Sequence, residues 1–184
     1  NHKEAYKYYE KYINNGFLDS NILCNFAILC EKFKEFDKAI SLYNKVINND
    51  PTCAEAYNNL GDLLLNIGKF DKVYNLIKKA TTLKPRYAIA FLNLGRILKH
   101  KKKLEEAEEA TRTCLDIDPT CSLGYLNLGS ILKDLNKLDE AKSMTLKYIE
   151  YESKSHLAFF NLSSIYIELN QLIEAEKAIR KCID

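Results

Sequence analysis

Apolar residues along this chain recur every three or four positions. Tyr57, Leu60 and Leu64 form one stripe, and Phe70, Val73, Ile77 and Ala80 form the next. That spacing puts each set on one face of an α-helix and excludes the alternation of a half-buried strand. A short polar stretch separates the two stripes, Asn66-Ile67-Gly68-Lys69 here and Asp134-Leu135-Asn136-Lys137 further on. Each supplies a Gly or Asn for the left-handed residue that ends a helix. The pattern predicts helix, turn, helix. Pro51, Pro85 and Pro119 then follow at intervals of 34 residues; proline cannot continue an interior hydrogen-bond ladder, so each marks the end of a second helix.

A period of this length is the mark of a repeat architecture. Aligning on it predicts repeats at residues 20–53, 54–87, 88–121, 122–155 and 156–184, and residues 1–19 as the second helix of a partial preceding repeat, with Ala5, Tyr6, Tyr9, Tyr12 and Ile13 as its apolar set. One continuous solenoid is expected. Small residues fall where the two helices of a hairpin approach: Ala27, Gly61, Gly95, Gly129 and Ser163, opposite Ala39, Val73, Ala107, Ala141 and Ala175. Large ones, Leu23, Tyr57, Phe91, Tyr125 and Phe159, with Phe26, Leu60, Leu94, Leu128 and Leu162 one turn on, are expected to fill the space between hairpins.

The run from Tyr57 through Leu60 and Gly61, with Leu64, Gly68, Ala80 and Pro85, resembles the tetratricopeptide repeat consensus, as do Phe91 to Gly95 and Tyr125 to Gly129. Five mutually agreeing units make the resemblance far more specific than a single motif. It implies an all-α fold, a right-handed α-solenoid of stacked antiparallel helix pairs whose first helices line a concave wall. Four positions depart from the pattern. Ser153 stands in place of proline, Ser163 in place of glycine, and Thr111 and Thr145 where the family has an aromatic or large apolar residue. These are expected to weaken packing locally and leave the architecture intact.

Asn25, Asn59, Asn93, Asn127 and Asn161 form a column at the same 34-residue interval, one per repeat. Asparagine is a mediocre helix former, so a full column within helices asks for another reason. A primary amide carries donor and acceptor and can pair with both polar groups of a guest peptide unit. The column resembles that of the tetratricopeptide superhelix in O-linked N-acetylglucosamine transferases, which implies gripping of an extended backbone. The alternative role is bracing between repeats. Around the column the side chains expected to face the groove vary: Cys24, Ile28 and Glu31; Asn58, Asp62 and Leu65; Leu92, Arg96 and Lys99; Leu126, Ser130 and Lys133; Phe160, Ser164 and Ile167. Arg96, Lys99 and Lys133 would suit an acidic side chain of a partner, and Leu126, Phe160 and Ile167 an apolar one. The peptide-binding candidates are thus the five asparagines with Asp62, Arg96, Lys99, Leu126, Lys133 and Phe160; ordinary helix surface is the competing reading of the variable ones. The chaperone-tail clamp of some such domains is not expected, because Ile89 and Asn93, Leu123 and Asn127, and Leu157 and Asn161 stand where it needs cations.

Composition narrows the function classes. The chain of 184 residues is 47% hydrophobic and 28% charged, enough apolar material to fold, and its net charge of +2 gives no field for phosphate-driven affinity, so nucleic acid is not expected as a partner. The run Lys99 to Lys103 reads as a solvated helix end and turn. No apolar stretch is long enough for a membrane span, and no signal-peptide core opens the sequence. The six cysteines include no Cys-x-x-Cys pair, so no metal or cofactor is expected, and reduced thiols of a cytoplasmic protein are the simplest account. Cys114 and Cys182 read as small core residues. His2, His100 and His156 lie in different units and nothing assembles a nucleophile or an acid/base pair, so the chain is not expected to be an enzyme. The expectation is a protein interaction scaffold that holds an extended peptide or protein segment. The alternative is the substrate-recruiting arm of a larger enzyme such as a glycosyltransferase, and self-association through the terminal units at Asn1 and Asp184 is a third expectation.

Overall fold

The computed structural model describes residues 2–16 and 19–183; Asn1 and Asp184, to which the self-association expectation refers, lie outside them. The described residues form eleven α-helices and no strand: α1 (His2–Asn14), α2 (Ser20–Lys32), α3 (Phe36–Asn49), α4 (Ala54–Asn66), α5 (Val73–Leu83), α6 (Ala88–His100), α7 (Leu104–Ile117), α8 (Ser122–Asp134), α9 (Leu138–Tyr151), α10 (His156–Glu168) and α11 (Leu172–Ile183). They fall into two compact units, residues 1–85 and 86–184. The first holds α1 to α5 and the second α6 to α11. The principal packing partners are α2 with α3 and α4 with α5 in the first unit, and α6 with α7, α8 with α9 and α10 with α11 in the second. The fold is therefore all-α, built of antiparallel helix pairs.

The turn inside every pair is the same device. A residue with positive φ sits at Lys34 (61°), Gly68 (76°), Lys102 (61°), Asn136 (59°) and Asn170 (58°). The amide that follows it then reaches back to the last helical turn: Glu35 N to Cys30 O at 2.9 Å, Lys69 N to Leu64 O at 2.8 Å, Lys103 N to Leu98 O at 3.0 Å, Lys137 N to Leu132 O at 2.9 Å and Gln171 N to Tyr166 O at 2.8 Å. This closes carbonyls that a helix end would otherwise leave bare. Lys34 and Lys102 depart from the expected Gly or Asn, and each accepts a left-handed conformation that costs a side chain about 1 kcal/mol.

Second helices end two residues before Pro51, Pro85 and Pro119. The helix ahead of Ser153 stops at the same point without proline, with Glu152 N bonded to Tyr148 O at 2.9 Å. Asp50 and Asp118 turn the chain toward the next hairpin by accepting from the amide and hydroxyl of Thr52 and Thr120. One second helix is short: Phe70–Lys72 is a 3-10 turn that leads into α5.

Helix pairs approach closely at the small residues. A Cβ on Gly61 would meet Ile77 Cδ1 at 2.5 Å, on Gly95 it would meet Thr111 Oγ1 at 2.2 Å, and on Gly129 it would meet Thr145 Oγ1 at 2.6 Å. Any larger side chain there would spread the hairpin. In the first unit α1 lies against α2, with Tyr6 edge-on to Phe26 at 5.0 Å and Tyr9 stacked on it at 5.4 Å. Lys38 of α3 clasps α1, donating to Glu10 at 2.6 Å and to the Tyr6 hydroxyl at 2.7 Å. Tyr8 points away and is exposed.

Candidate functional site

The asparagine column sits on the first helix of each pair, but its members differ in what they touch. In the first unit Asn25 of α2 is exposed. Asn59 of α4 is half-buried, and its Oδ1 accepts from the amide of Asn58 at 3.2 Å. Asn58 itself is buried, as is Cys24, although both were expected to face outward. Beside them Glu31 is half-buried and accepts from the hydroxyl of the fully buried Tyr43 at 2.6 Å. Burial pushes the Glu31 carboxyl above its usual range and the charge of Asp62 adds to that, while the Tyr43 hydroxyl opposes it. Burial, with the Glu31 carboxylate as its partner, pushes Tyr43 upward in turn. Asp62 accepts from Asn66 at 3.2 Å. This face is acidic.

The second unit presents a different face. Asn93 is only 3% exposed, and its Oδ1 accepts from Arg96 at 2.9 Å. Asn127 of α8 crosses to the preceding hairpin: its Nδ2 donates to Thr111 Oγ1 at 3.0 Å, and that hydroxyl donates onward to Ala107 O at 2.8 Å. Asn161 is half-buried. Among the described residues neither Asn25 nor Asn161 has a hydrogen-bond partner within the chain. Lys99 donates to Ser130 and lies 3.4 Å from Asp134, and one repeat later Lys133 donates to Ser164 at 3.1 Å. The two lysines therefore bridge successive first helices. Leu92 is buried instead of facing outward, Leu126 is half-buried, and Phe160 is 56% exposed with Ile167 beside it in the same helix.

Two features of this face escaped the sequence reading. The serines at 130 and 164 are acceptors for the lysines of the preceding hairpin, a link whose only trace in the sequence is that both partners recur after 34 residues. Ile89, Leu123 and Leu157 form an exposed apolar column on α6, α8 and α10. The matching residues of the first unit, Asn21 and Glu55, are polar. Thr111 and Thr145, expected to loosen the packing, are fully buried with their hydroxyls satisfied by Ala107 O and Ala141 O. Among the described residues no group of three His, Cys, Asp or Glu stands where it could hold a metal ion, and no helix is long and apolar enough to cross a membrane.

Solved structures share this arrangement. YrrB, described as a TPR protein with an unusual peptide-binding site, is 22% identical over 96% of this chain and 91% of its own, with a TM-score of 0.74. MamA from Desulfovibrio magneticus RS-1 is 15% identical over 89% of this chain and 93% of its own, with a TM-score of 0.77. The Cut9–Hcn1 complex of the APC/C is 16% identical, with a TM-score of 0.89 over 99% of this chain and 36% of that one. At these identities the likeness is one of fold. No curated protein matches. Two profiles for the tetratricopeptide repeat do match, one at residues 42–73 and the other at 20–53, 88–121, 124–155 and 157–184. With the period, the paired helices and these matches in agreement over most of its length, the chain belongs to the tetratricopeptide repeat family.

Proposed function

We propose that this protein is an interaction scaffold whose first-helix faces hold an extended segment of another polypeptide, with the asparagine amides pairing to the guest main chain. The observation that carries the reading is the unused hydrogen-bonding capacity of the column: Asn25 and Asn161 have no partner among the described residues, and Asn59 spends only its Oδ1, on Asn58. An amide at a helix surface gains little from intramolecular neighbours and keeps donor and acceptor for a guest. The peptide-binding site named for the similar YrrB supports the same class of ligand. The variable residues would then tune preference separately in each unit. Glu31 and Asp62 favour basic side chains, while Arg96, Lys99 and Lys133, beside Leu126 and Phe160, favour acidic and apolar ones.

The test is selection from a random peptide library, followed by affinity measurement on variants. Asn25→Ala and Asn59→Ala together, or Asn161→Ala alone, should weaken the selected peptides about tenfold for each amide used, with the melting temperature unchanged. Asn127→Ala is the contrasting variant, because it removes a bridge to Thr111 and should lower stability as well. Selected peptides that bind every asparagine variant as tightly as the parent protein would overturn the proposal.

A further inference from the structure

All six cysteines are thiols, but four of them lie in contacting pairs. Cys24 of α2 meets Cys53, the residue that caps α4, and Cys114 in the last turn of α7 meets Cys121, the residue that caps α8. Cys53 and Cys121 occupy the same repeat position, but their partners come from different helices.

The second pair is the better built. Cys114 is fully buried in a small cluster with Ala88 and Leu92, and Cys121 lies half-exposed at its edge. The backbone N–H of Gly124 donates to the Cys121 carbonyl at 2.9 Å, and a Cβ on Gly124 would stand 3.7 Å from Cys114 Sγ, so the two cysteines meet at the first turn of α8. The segment between them is pinned. Thr120 N and Cys121 N bond to the side chain and the carbonyl of Asp118, at 3.0 and 3.1 Å. Two cysteines packed into one small cluster across so short a loop need little backbone movement to join.

We propose that Cys114 and Cys121 are an oxidisable pair that a small-molecule disulfide, such as glutathione disulfide, converts to an intrachain disulfide tying α7 to α8. Cys121 is the sulfur that solvent reaches. Its thiolate attacks one sulfur of glutathione disulfide, the glutathione S–S bond breaks, and one glutathione leaves as thiolate with the electron pair. Cys114 then gives up its proton, attacks the Cys121 sulfur and expels the second glutathione. Two protein thiols are oxidised and one glutathione disulfide is reduced to two thiols. Exposure sets this order of attack: Cys121 is half-exposed, whereas Cys114 is fully buried and its thiol is pushed above the ordinary range by the neighbouring Cys121 and by burial.

Incubation of the full chain with millimolar glutathione disulfide, alkylation and peptide mapping test the assignment. The expected product is a peptide pair joined through Cys114 and Cys121. The melting temperature should rise by about 5 °C and fall back on reduction. Two variants carry residues that sister repeats already hold in the matching places, Ala80 and Ser155. Cys114→Ala should stop at a glutathione adduct on Cys121, and Cys121→Ser should leave Cys114 unmodified. Both cysteines free after oxidation, or a lasting glutathione adduct on Cys121 of the parent protein, would overturn the proposal.

Discussion

Tyr43 in the first unit and Thr111 in the second answer one packing problem differently. Where a second helix crosses the small residue of its partner, the first unit places Tyr43 and Ile77, and the second places Thr111, Thr145 and Ile179. Tyr43 fills its hairpin and drives a hydroxyl through to Glu31 on the first-helix face. The threonines turn their hydroxyls onto carbonyls of their own helix, and the space this leaves at Thr111 admits the amide of Asn127. One repeat position thus decides how the face beside it is wired. A long polar aromatic ties the first unit's face to a carboxylate, whereas a short hydroxyl in the second draws an asparagine inward as a brace. The faces differ accordingly, with half-buried Glu31 near Asp62 on one and lysines bridged to Ser130 and Ser164 on the other.

Exchanging residues between the units tests this directly. Tyr43→Thr, which gives the first unit the second unit's residue, should cost about 4 kcal/mol, since a fully buried ring is lost and the Glu31 carboxylate loses its donor. Urea unfolding followed by circular dichroism measures it, and a cost below that of an ordinary surface change would deny Tyr43 its role. The next effect is smaller. Thr111→Val should cost about 1 kcal/mol by stranding Asn127, while Thr145→Val, whose hydroxyl serves only Ala141 O, should cost less. Equal losses in the two variants would show that the Asn127 bridge contributes nothing.

The smallest effect concerns pH. Burial raises the Glu31 carboxyl above its unfolded value, so the folded chain holds that proton more tightly than the unfolded one. The resulting stability is present at low pH and is lost as pH rises through the folded value. Glu31→Gln keeps an acceptor for Tyr43 and removes the titration. Its melting temperature should therefore exceed the parent's slightly near neutral pH and converge toward it near about pH 4. An advantage that instead grows on acidification would contradict the sign.

Much of the fold was legible in the residues. Helix periodicity, the proline spacing and the alternation of Gly61, Gly95 and Gly129 with large neighbours located the helix pairs, because burying an apolar stripe between close-packed helices constrains residue size at every turn. The turn chemistry was legible only in part. Gly68, Asn136 and Asn170 announce a left-handed residue, but Lys34 and Lys102 adopt one because the 34-residue geometry demands it. The candidate site was harder to read. The asparagine column is plain in the sequence, whereas the burial of Asn93, the inward turn of Asn127 and the contact of Cys114 with Cys121 depend on side chains from other helices.

By itself the sequence determined the repeat, the helix pairs and the positions at which every first helix carries an amide, since these follow from periodicity and residue size along the chain. Tertiary structure alone decided which amides keep unused hydrogen-bonding capacity and which are spent within the protein. That depends on the residue across the gap, Tyr43 in one hairpin and Thr111 in another, and hydrogen bonding between helices is governed by distance and direction that linear spacing does not encode.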